Sequence, residues 1–599
     1  MTGPLETYRA RAAERQLAAA AKDRMHVRLG NAKVAIVIAT MIYWAVTVQS
    51  GPNSVLLGAA AVAFVALLVW HEVVIRALAR AQAAVQFYAD GMARVEDRWI
   101  GKGQASVRFR DVEHPYSDDL DVFGEGSLYD LIAGARTPMG EERLAAWLSV
   151  PAPPPVIRQR QARVVALRSQ IDLRERLATV NAAAGGRRLV PDRLIEWAET
   201  PPTLPRAARP LAALLAVAFA AAVVNILYGG RALPLILLAL ANLGMLWWLM
   251  KPATAVVEGL SSATMSAGVD LLARVVAEIE RADFEDAEMV ALVARLKGAN
   301  PGESASRGLA RLARVSDWVD SRHNAFTRLV EIPALFTLQV AFYAAAWRAR
   351  DGARLRDWVD AVGELEALLS LAGYAYEHPA DTFAEIVEPA DGEAVYDAVG
   401  LAHPLIPRAT AVANTIFLGA SPRVLLVSGS NMAGKSTLMR TIGLNAVLGL
   451  AGAPVRATRL RLSPLVLGTC LRHTDSLREG RSGFFTEVLR IRQICNLLDG
   501  PGHVLFLFDE LLSGTNSKDR RTAAEGLLRM LVARGAIGVV TTHDLALTEI
   551  AAMLPNAVRN VHLQDHVENG QMRFDYKLRD GVIAQSNALE LMRMIGLDV

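Results

Sequence analysis

Four apolar runs, set as two close pairs, constrain this chain more than any other feature: Val34 to Val48 with Ser54 to Trp70, and Leu211 to Tyr228 with Ala232 to Met250. Runs of 15 to 19 residues reach about 22 to 28 Å as α-helix, slightly short of the ~30 Å hydrocarbon core, so such spans extend into their flanks or thin the bilayer locally. Each pair reads as a helical hairpin, because Gln49 to Asn53 (QSGPN) and Gly229-Gly230-Arg231 are tight breaks. Residues 1–33 carry seven Lys/Arg (Arg9, Arg11, Arg15, Lys22, Arg24, Arg28, Lys33), Arg76 and Arg80 follow the second run, and Arg206, Arg209 and Lys251 flank the second pair. By the positive-inside rule, both ends of each hairpin then face the cytoplasm. A long polar lead and an immediate second apolar run argue against a cleaved signal peptide. The competing reading, buried helices of a large helical domain, fits less well with Trp247 and Trp248, which suit an interface at the end of the fourth run.

Composition agrees with partial immersion in lipid. Hydrophobic residues make up 52% and charged residues 21% of 599, and the mean hydropathy is +0.25, high for a wholly soluble chain of this size. This length suits roughly three or four domains and excludes neither enzyme nor scaffold. With 64 Lys+Arg against 61 Asp+Glu the net charge is +3, so affinity for nucleic acid has to come from local clustering. Two cysteines, Cys470 and Cys495, make neither a disulfide framework nor a four-ligand zinc site, and the eleven histidines show no His-Glu-x-x-His arrangement. A reducing compartment and no structural metal are expected.

Between the hairpins the pattern is helical. An amphipathic helix is expected from Val73 to about Arg98, then a Gly- and Asp-rich linker or small irregular module over Gly101 to Gly126. Thr137-Pro138-Met139-Gly140-Glu141-Glu142 predicts a sharp helix start: Thr caps, Pro sits where no N–H is needed, and the Glu pair faces the positive helix end. Leu144, Trp147 and Leu148 give that helix an inward face. After the second hairpin, helices are expected over about Ala263 to Leu296 and, beyond a break at Lys297 to Ser306, on to about Tyr376 with an interruption at Asp351-Gly352. From about Ala409, short β-rich runs alternate with helices, the texture of an α/β domain with a mainly parallel sheet.

The sharpest chemistry lies there. Gly429-Ser430-Asn431-Met432-Ala433-Gly434-Lys435-Ser436-Thr437 fits G-x-x-x-x-G-K-[ST], preceded by the strand-like Val424 to Val427 and followed by a helical run. Such a loop cradles phosphates with its N–H groups and the helix N-terminus, with Lys435 reaching the β/γ-phosphates of ATP and Ser436 holding Mg²⁺. The apolar run Leu505 to Phe508 ends in Asp509 and Glu510: Asp509 suits Mg²⁺, and Glu510 suits orienting or deprotonating the attacking water. A third strand, Ile537 to Thr541, delivers Thr542-His543-Asp544, where His543 would sense the γ-phosphate.

On these residues the C-terminal part resembles the ATPase domain of the MutS family of DNA mismatch-repair proteins, a branch of the ABC-type ATPases. The Asn-Met before Gly-Lys is far more specific than a generic P-loop. Arg481-Ser482-Gly483-Phe484-Phe485-Thr486-Glu487 looks like the family signature, Asp509 to Asp519 (DELLSGTNSKD) like its strand-end acids and D-loop, and Tyr576-Lys577-Leu578 through Gln585-Ser586 and Gly596-Leu597 like its closing pattern. Upstream, Ser127 to Pro151, Glu364 to Tyr376 and His403-Pro404 are similar to the family's helical core, so the likeness covers roughly 127–200 and 355–599. It implies a homodimer in which Ser482 closes the partner's nucleotide in trans.

The departures are equally specific. No N-terminal Phe-x-Glu mismatch-reading module is found, and Phe87-Tyr88-Ala89-Asp90 reads as helix. The long helices turn round at Lys297 to Ser306, too early for the family's DNA clamp. Ala411 stands where the family has an adenine-stacking aromatic, and Ser513 where its Gly-Arg-Gly-Thr has arginine.

The expected architecture is an α/β P-loop ATPase domain of ABC type at 401–599, preceded by an all-α core and lever region (127–205 and 255–400) with two transmembrane hairpins (34–70 and 211–250), a basic segment (1–33) and a helix and linker (71–126). Two functions stand open: a multi-pass ATPase of the cytoplasmic membrane, facing the cytoplasm, that binds mismatched, damaged or branched DNA, or an ATP-switched membrane scaffold without DNA. ABC transport is weaker, since the signature Leu-Ser-Gly-Gly-Gln is absent from the sequence.

Overall fold

The two N-terminal apolar runs are the far ends of longer helices, α1 (Pro4–Thr47) and α2 (Ser54–Val95). They form an antiparallel hairpin: Tyr8 packs on Tyr88, His26 meets His71 at 2.8 Å, and the Tyr43 hydroxyl accepts the Asn53 N–H at 3.0 Å. The computed structural model describes residues 3–49, 51–101, 106–182, 191–201, 204–205, 207–261, 263–298, 303–322, 325–388, 392–430, 432–471, 483–568 and 571–583. Two units divide the chain, one of residues 1–89, 135–142 and 170–366 and another of 90–134, 143–169 and 367–599.

In the first unit the hairpin base is tied by charge. Arg15 Nε donates to Glu175 at 2.6 Å on helix α3 (Ile171–Ala182), Arg11 donates to Asp172 of the same helix, and the Tyr88 hydroxyl donates to Glu175. Phe87 and Tyr88 are buried against Tyr8, so this stretch is helix packing, as its sequence suggests. Beyond the base, only 6% of the apolar window of either helix is buried. A second hairpin, α4 (Ala208–Leu227) and α5 (Leu233–Glu258), turns at Gly229, whose φ of +84° suits glycine. All four helices are long and apolar enough to cross a membrane.

The helix expected over 263–296 is two helices. α6 (Ala263–Glu280) ends before Arg281, and Asp286 starts a new helix, Ala287–Lys297, by accepting the Met289 N–H at 2.9 Å. α6 packs on α7 (Ala305–Ser321). The following helices fold onto the second hairpin: α8 (Ala325–Ala334) packs on α4 and α5, and α9 (Phe336–Asp351) runs along α5. Pro333 and the left-handed Leu335 (φ +52°) break the chain between them. At that break Asn242, fully buried in the middle of apolar α5, donates its Nδ2 to the Ile332 carbonyl at 2.9 Å, and Glu331 accepts the Thr337 N–H at 3.2 Å. Backbone polar groups freed at a break among apolar helices need such partners. Helix α10 (Leu355–Glu377) closes the helical region, with the interruption at Asp351-Gly352 seen as a short 3₁₀ turn.

Helix Pro138–Ser149 starts as its sequence predicts. Thr137 Oγ1 accepts the Gly140 N–H at 3.3 Å and donates to Glu366, whose carboxyl also accepts the N–H groups of Arg136 (3.1 Å) and Thr137 (3.2 Å). Burial pushes the Glu366 carboxyl up to about 7, the bonds from Thr137 and Arg136 pulling the other way.

The second unit holds a six-stranded sheet in the order β6-β5-β1-β4-β3-β2, built of β1 (Val424–Ser428), β2 (Leu465–Cys470), β3 (His503–Phe508), β4 (Ile537–Thr542), β5 (Val558–Glu568) and β6 (Gln571–Asp580). Every pair is parallel except β5 with β6. β1 and β4 are buried at every residue, as expected of strands covered on both faces. A smaller sheet of 385–386, 459–462, 396–401 and 414–418 lies in the same unit. The stretch read as a linker or irregular module is packed from residue 106 on: Tyr116, Leu120 and Val122 are buried, and Asp119 Oδ2 accepts the Thr469 hydroxyl (2.8 Å) and the Leu471 N–H (3.1 Å).

Replacing Asn242 by Leu should lower stability by about 1 kcal/mol, read as a lower unfolding midpoint in detergent; an unchanged midpoint would show that the bond to Ile332 contributes nothing. For Glu366 the folded pKa lies above the unfolded value of 4.5, so its contribution is complete below that pH and is lost as pH rises through about 7. The stability difference between wild type and Glu366→Gln should therefore shift against wild type by about 3 kcal/mol from acid to mildly alkaline pH, and parallel pH curves would refute the titration.

Candidate active site

Adjacent parallel strands β1, β4 and β3 end side by side, Thr542 opposite Ser428 and Val540 opposite Phe508. That register gathers three loops far apart in sequence. After β1 the chain passes through Gly429 to Gly434 into helix α11 (Lys435–Ala451). Gly434 takes φ +90°, and a Cβ there would lie 2.9 Å from the Tyr576 ring, so both backbone and space demand glycine. Buried Lys435 donates its Nζ to the carbonyls of Gly429 (2.8 Å) and Ser430 (3.0 Å) and lies 4.0 Å from Glu510 Oε1. Burial lowers its pKa, against which Glu510 and Asp509 act. The Ser430 Oγ atom is buried without a hydrogen-bond partner, and Met432 is exposed on the loop's lip beside Ala433, which is buried. Asn431 lies outside the described residues.

Asp509 follows β3 and is buried. Its Oδ2 accepts the Ser436 hydroxyl and its Oδ1 accepts the Thr541 hydroxyl. One carboxylate and one hydroxyl at the edge of a phosphate-cradling loop are the hard oxygen donors Mg²⁺ takes when phosphates and water complete its shell. Among the described residues no cluster of three or more His, Cys, Asp or Glu could hold a metal on protein ligands alone.

Glu510 sits in a left-handed conformation, φ +50°, uncommon for a residue with a side chain. Its N–H donates to Thr541 Oγ1 at 2.9 Å, and its carboxylate lies 3.5 Å from His543 Nδ1. The following loop is held from two sides. Glu487, buried on helix α12 (Gly483–Leu497), accepts the Leu512 N–H at 2.6 Å. Arg520, on helix α13 (Ser517–Ala533), donates to the carbonyls of Leu512 (3.0 Å), Ser513 (2.9 Å) and Thr515 (3.1 Å).

A cavity of about 410 Å³ adjoins the loop, lined among others by Ala411, Asn414, Gly434, Thr437 and Tyr576. Tyr576, delivered by β6, is held there through the backbone by Asn414, whose amide donates to the Tyr576 carbonyl and accepts the Leu578 N–H, both at 2.9 Å. An aromatic face beside a phosphate loop can stack a base, whereas the sequence has Ala411 where the resemblance expects the stacking aromatic.

Comparison with known proteins agrees with this geometry. The family model described as MutS domain V matches residues 425–598. This stretch of the chain is a MutS-type domain V. The chain is 34% identical over 217 residues to an endonuclease MutS2 from Thermus thermophilus, covering 35% of this chain and 27% of that protein. Against DNA mismatch repair proteins MutS it is 31% identical over 250 residues (Natronomonas pharaonis; 41% of this chain, 28% of that protein) and 31% over 252 residues (Geobacillus kaustophilus; 41% and 27%). The chain thus spans little more than a quarter of the length of these relatives.

Within the MutS-type domain the structure brings together Gly429, Ser430, Gly434, Lys435, Ser436, Asp509, Glu510 and His543, with Thr437 in the first turn of α11 and at the cavity. Ser482 and the closing residues Gln585 to Leu597 lie outside the described residues. Sequence reasoning passed over Arg520 and the ring of Tyr576; the first follows the D-loop directly, and the second stood in view only as part of a tail pattern. Tyr576→Ala should weaken binding of a fluorescent ATP analogue by about 5- to 150-fold, the range for losing one base–aromatic stack, with Tyr576→Phe near wild type. Equal affinity in the Ala variant would remove the ring from the site.

Proposed function

We propose that this protein is a membrane-anchored MutS-type ATPase whose homodimer opens and closes with ATP hydrolysis and binds mismatched, damaged or branched DNA. The observation that carries the ATPase reading is the cluster in which Asp509 holds Ser436 and Thr541 while Glu510 lies beside Lys435 and His543. Loop N–H groups and the start of α11 bind the phosphates of ATP, with the Lys435 ammonium on the β/γ oxygens. Bound at Ser436 and Asp509, Mg²⁺ would neutralise charge developing between the β- and γ-phosphates. Glu510 accepts the proton of the attacking water, its position set by the Thr541 hydroxyl below its amide and by His543, which contacts the γ-phosphate. The partner's Ser482 closes the nucleotide across the dimer.

The names of the matched relatives support DNA as the ligand. Four exposed apolar helices support an anchor, and the flanking Lys and Arg support a cytoplasmic ATPase in the inner membrane. A second reading, an ATP-switched membrane scaffold without DNA, is favoured by the way α8 and α9 fold back onto the apolar hairpin.

Glu510→Gln should bind ATP and hydrolyse it at least about 100-fold more slowly, the size of a lost general base; undiminished turnover would reassign the base. Lys435→Ala should lose nucleotide binding, and a wild-type Kd would sink the loop assignment. Anisotropy of labelled homoduplex, mismatched and branched DNA, with ADP and with ATP on the Glu510→Gln protein, should show nucleotide-dependent binding that falls with salt. No binding at low salt would leave the scaffold.

A further inference from the structure

A second cavity, about 360 Å³, opens in the first unit between the start of α4 and the sides of α7 and α9. Four arginines line it: Arg209 of α4, Arg311 and Arg314 of α7, and Arg350 of α9. One acid is paired with them in the ion pairs described there, Asp351, at 2.7 Å from Arg350 and 3.6 Å from Arg311. Burial chiefly lowers the pKa of Arg311, with the charge of Arg350 adding to it and Asp351 acting against it. Trp318 and Tyr343, both exposed, complete the wall edge to face with ring centres 5.6 Å apart, and the Arg209 guanidinium lies 5.1 Å from the Tyr343 ring centre.

The depth of this cavity follows from the hairpin. Asn242 of α5 is bonded to Ile332. Along α5, Met250 lies about 12 Å from Asn242 toward the end marked by Trp247, Trp248 and Lys251. Beyond the break, α9 runs along α5 and carries Tyr343 toward the same end, because its ring meets Arg209 at the start of α4. Arg209 itself stands two residues before the apolar run that begins at Leu211. Arginines and aromatic rings are thus level with the charged and Trp-bearing flanks of both spans, at headgroup depth.

We propose that this pocket binds the phosphate-bearing headgroup of an anionic phospholipid in the leaflet where α4 begins. Planar guanidinium forks match phosphate oxygens, and the Trp and Tyr rings suit the glycerol and first methylenes at an interface. The inference rests on the reading of α4 and α5 as membrane spans. A duplex would meet the same arginines only by entering the headgroup layer, which favours lipid over DNA.

The test uses the full-length protein. Alkaline carbonate extraction of membranes first checks the anchor: recovery in the soluble fraction would overturn the membrane reading and the lipid site together. Native mass spectrometry of detergent-purified protein then compares phosphatidylglycerol with phosphatidylcholine of the same chains. Wild type should prefer phosphatidylglycerol, and Arg209→Ala with Arg314→Ala should weaken its binding by about fivefold per arginine, about 25-fold for the pair. Arg492→Ala, of equal charge and in the other unit, should not. If the double variant melts below wild type, Arg314→Ala alone carries the test at about fivefold. Membrane retention with equal affinity for the two lipids, or equal phosphatidylglycerol binding by the variants, would overturn the site alone. Displacement of the lipid by equimolar inorganic phosphate would assign the pocket to a soluble anion, and displacement by duplex DNA would assign it to nucleic acid; either overturns the proposal.

Discussion

The Asp509 carboxylate, holding the hydroxyls of Ser436 and Thr541 at once, is the interaction around which the loop-bearing end of the sheet is arranged. It joins the helix after β1 to the ends of β3 and β4, three segments separated by 32 to 73 positions in the chain. A buried carboxylate is costly unless hydrogen-bonded, so both hydroxyls are needed where the apolar strand delivers the acid. The strands make this possible by being apolar throughout: Phe506, Phe508, Val424 and Val540 belong to one buried cluster, which fixes the register. A slip of β3 by one residue would turn Asp509 and Glu510 to the wrong faces. The left-handed Glu510 then places its carboxylate between Lys435 and His543, and the bonds of Glu487 and Arg520 to the next loop keep that backbone from relaxing.

What could be read from sequence was what short spacing encodes. The P-loop and the acids after Leu505 to Phe508 each fall within a few consecutive residues, each apolar hairpin is one continuous stretch of about 40 residues, and the Thr137-Pro138 start declares itself by residue type. Long-range placement was not legible. Residues 106–126 have no periodicity, and their attachment is made by single groups such as Asp119 reaching Thr469 and Leu471. The break at 281–286 carries neither Gly nor Pro, so apolar periodicity ran through it, whereas Asp286 began a new helix. Tyr576 reaches the loop because Asn414 pins the last hairpin, a pairing between residues 162 positions apart.

The same limit explains α8 and α9. Their pattern of apolar and polar residues suits a soluble bundle as well as a helix laid against spans, since a helix stripe says that something covers it and not whether that is protein or lipid. Only Asn242 decides: a fully buried amide inside an apolar span needs a partner, and the carbonyl of Ile332 at the Pro333 break supplies one. The Asn242 amide N–H and the Ile332 carbonyl are therefore explained by each other, while Asn242 Oδ1 stays buried without a partner.

Basic residues flanking the apolar runs separate in a similar way. A count of Lys and Arg treats Arg11, Arg15, Arg209 and Lys251 alike, yet Arg11 and Arg15 are engaged with Asp172 and Glu175 at the base of the first hairpin, where their charge locks helix α1 to the core. Arg209 instead lies over Tyr343 at the mouth of a cavity shared with three other arginines. Charge neutralised by a neighbouring carboxylate contributes less to holding a span's end at an anionic surface than charge left facing that surface. Under the membrane reading proposed above, the orientation of the first hairpin then leans on Lys22, Arg24, Arg28 and Lys33, which lie between those ion pairs and the apolar run, and that of the second on Arg209 and Lys251, which flank its apolar runs.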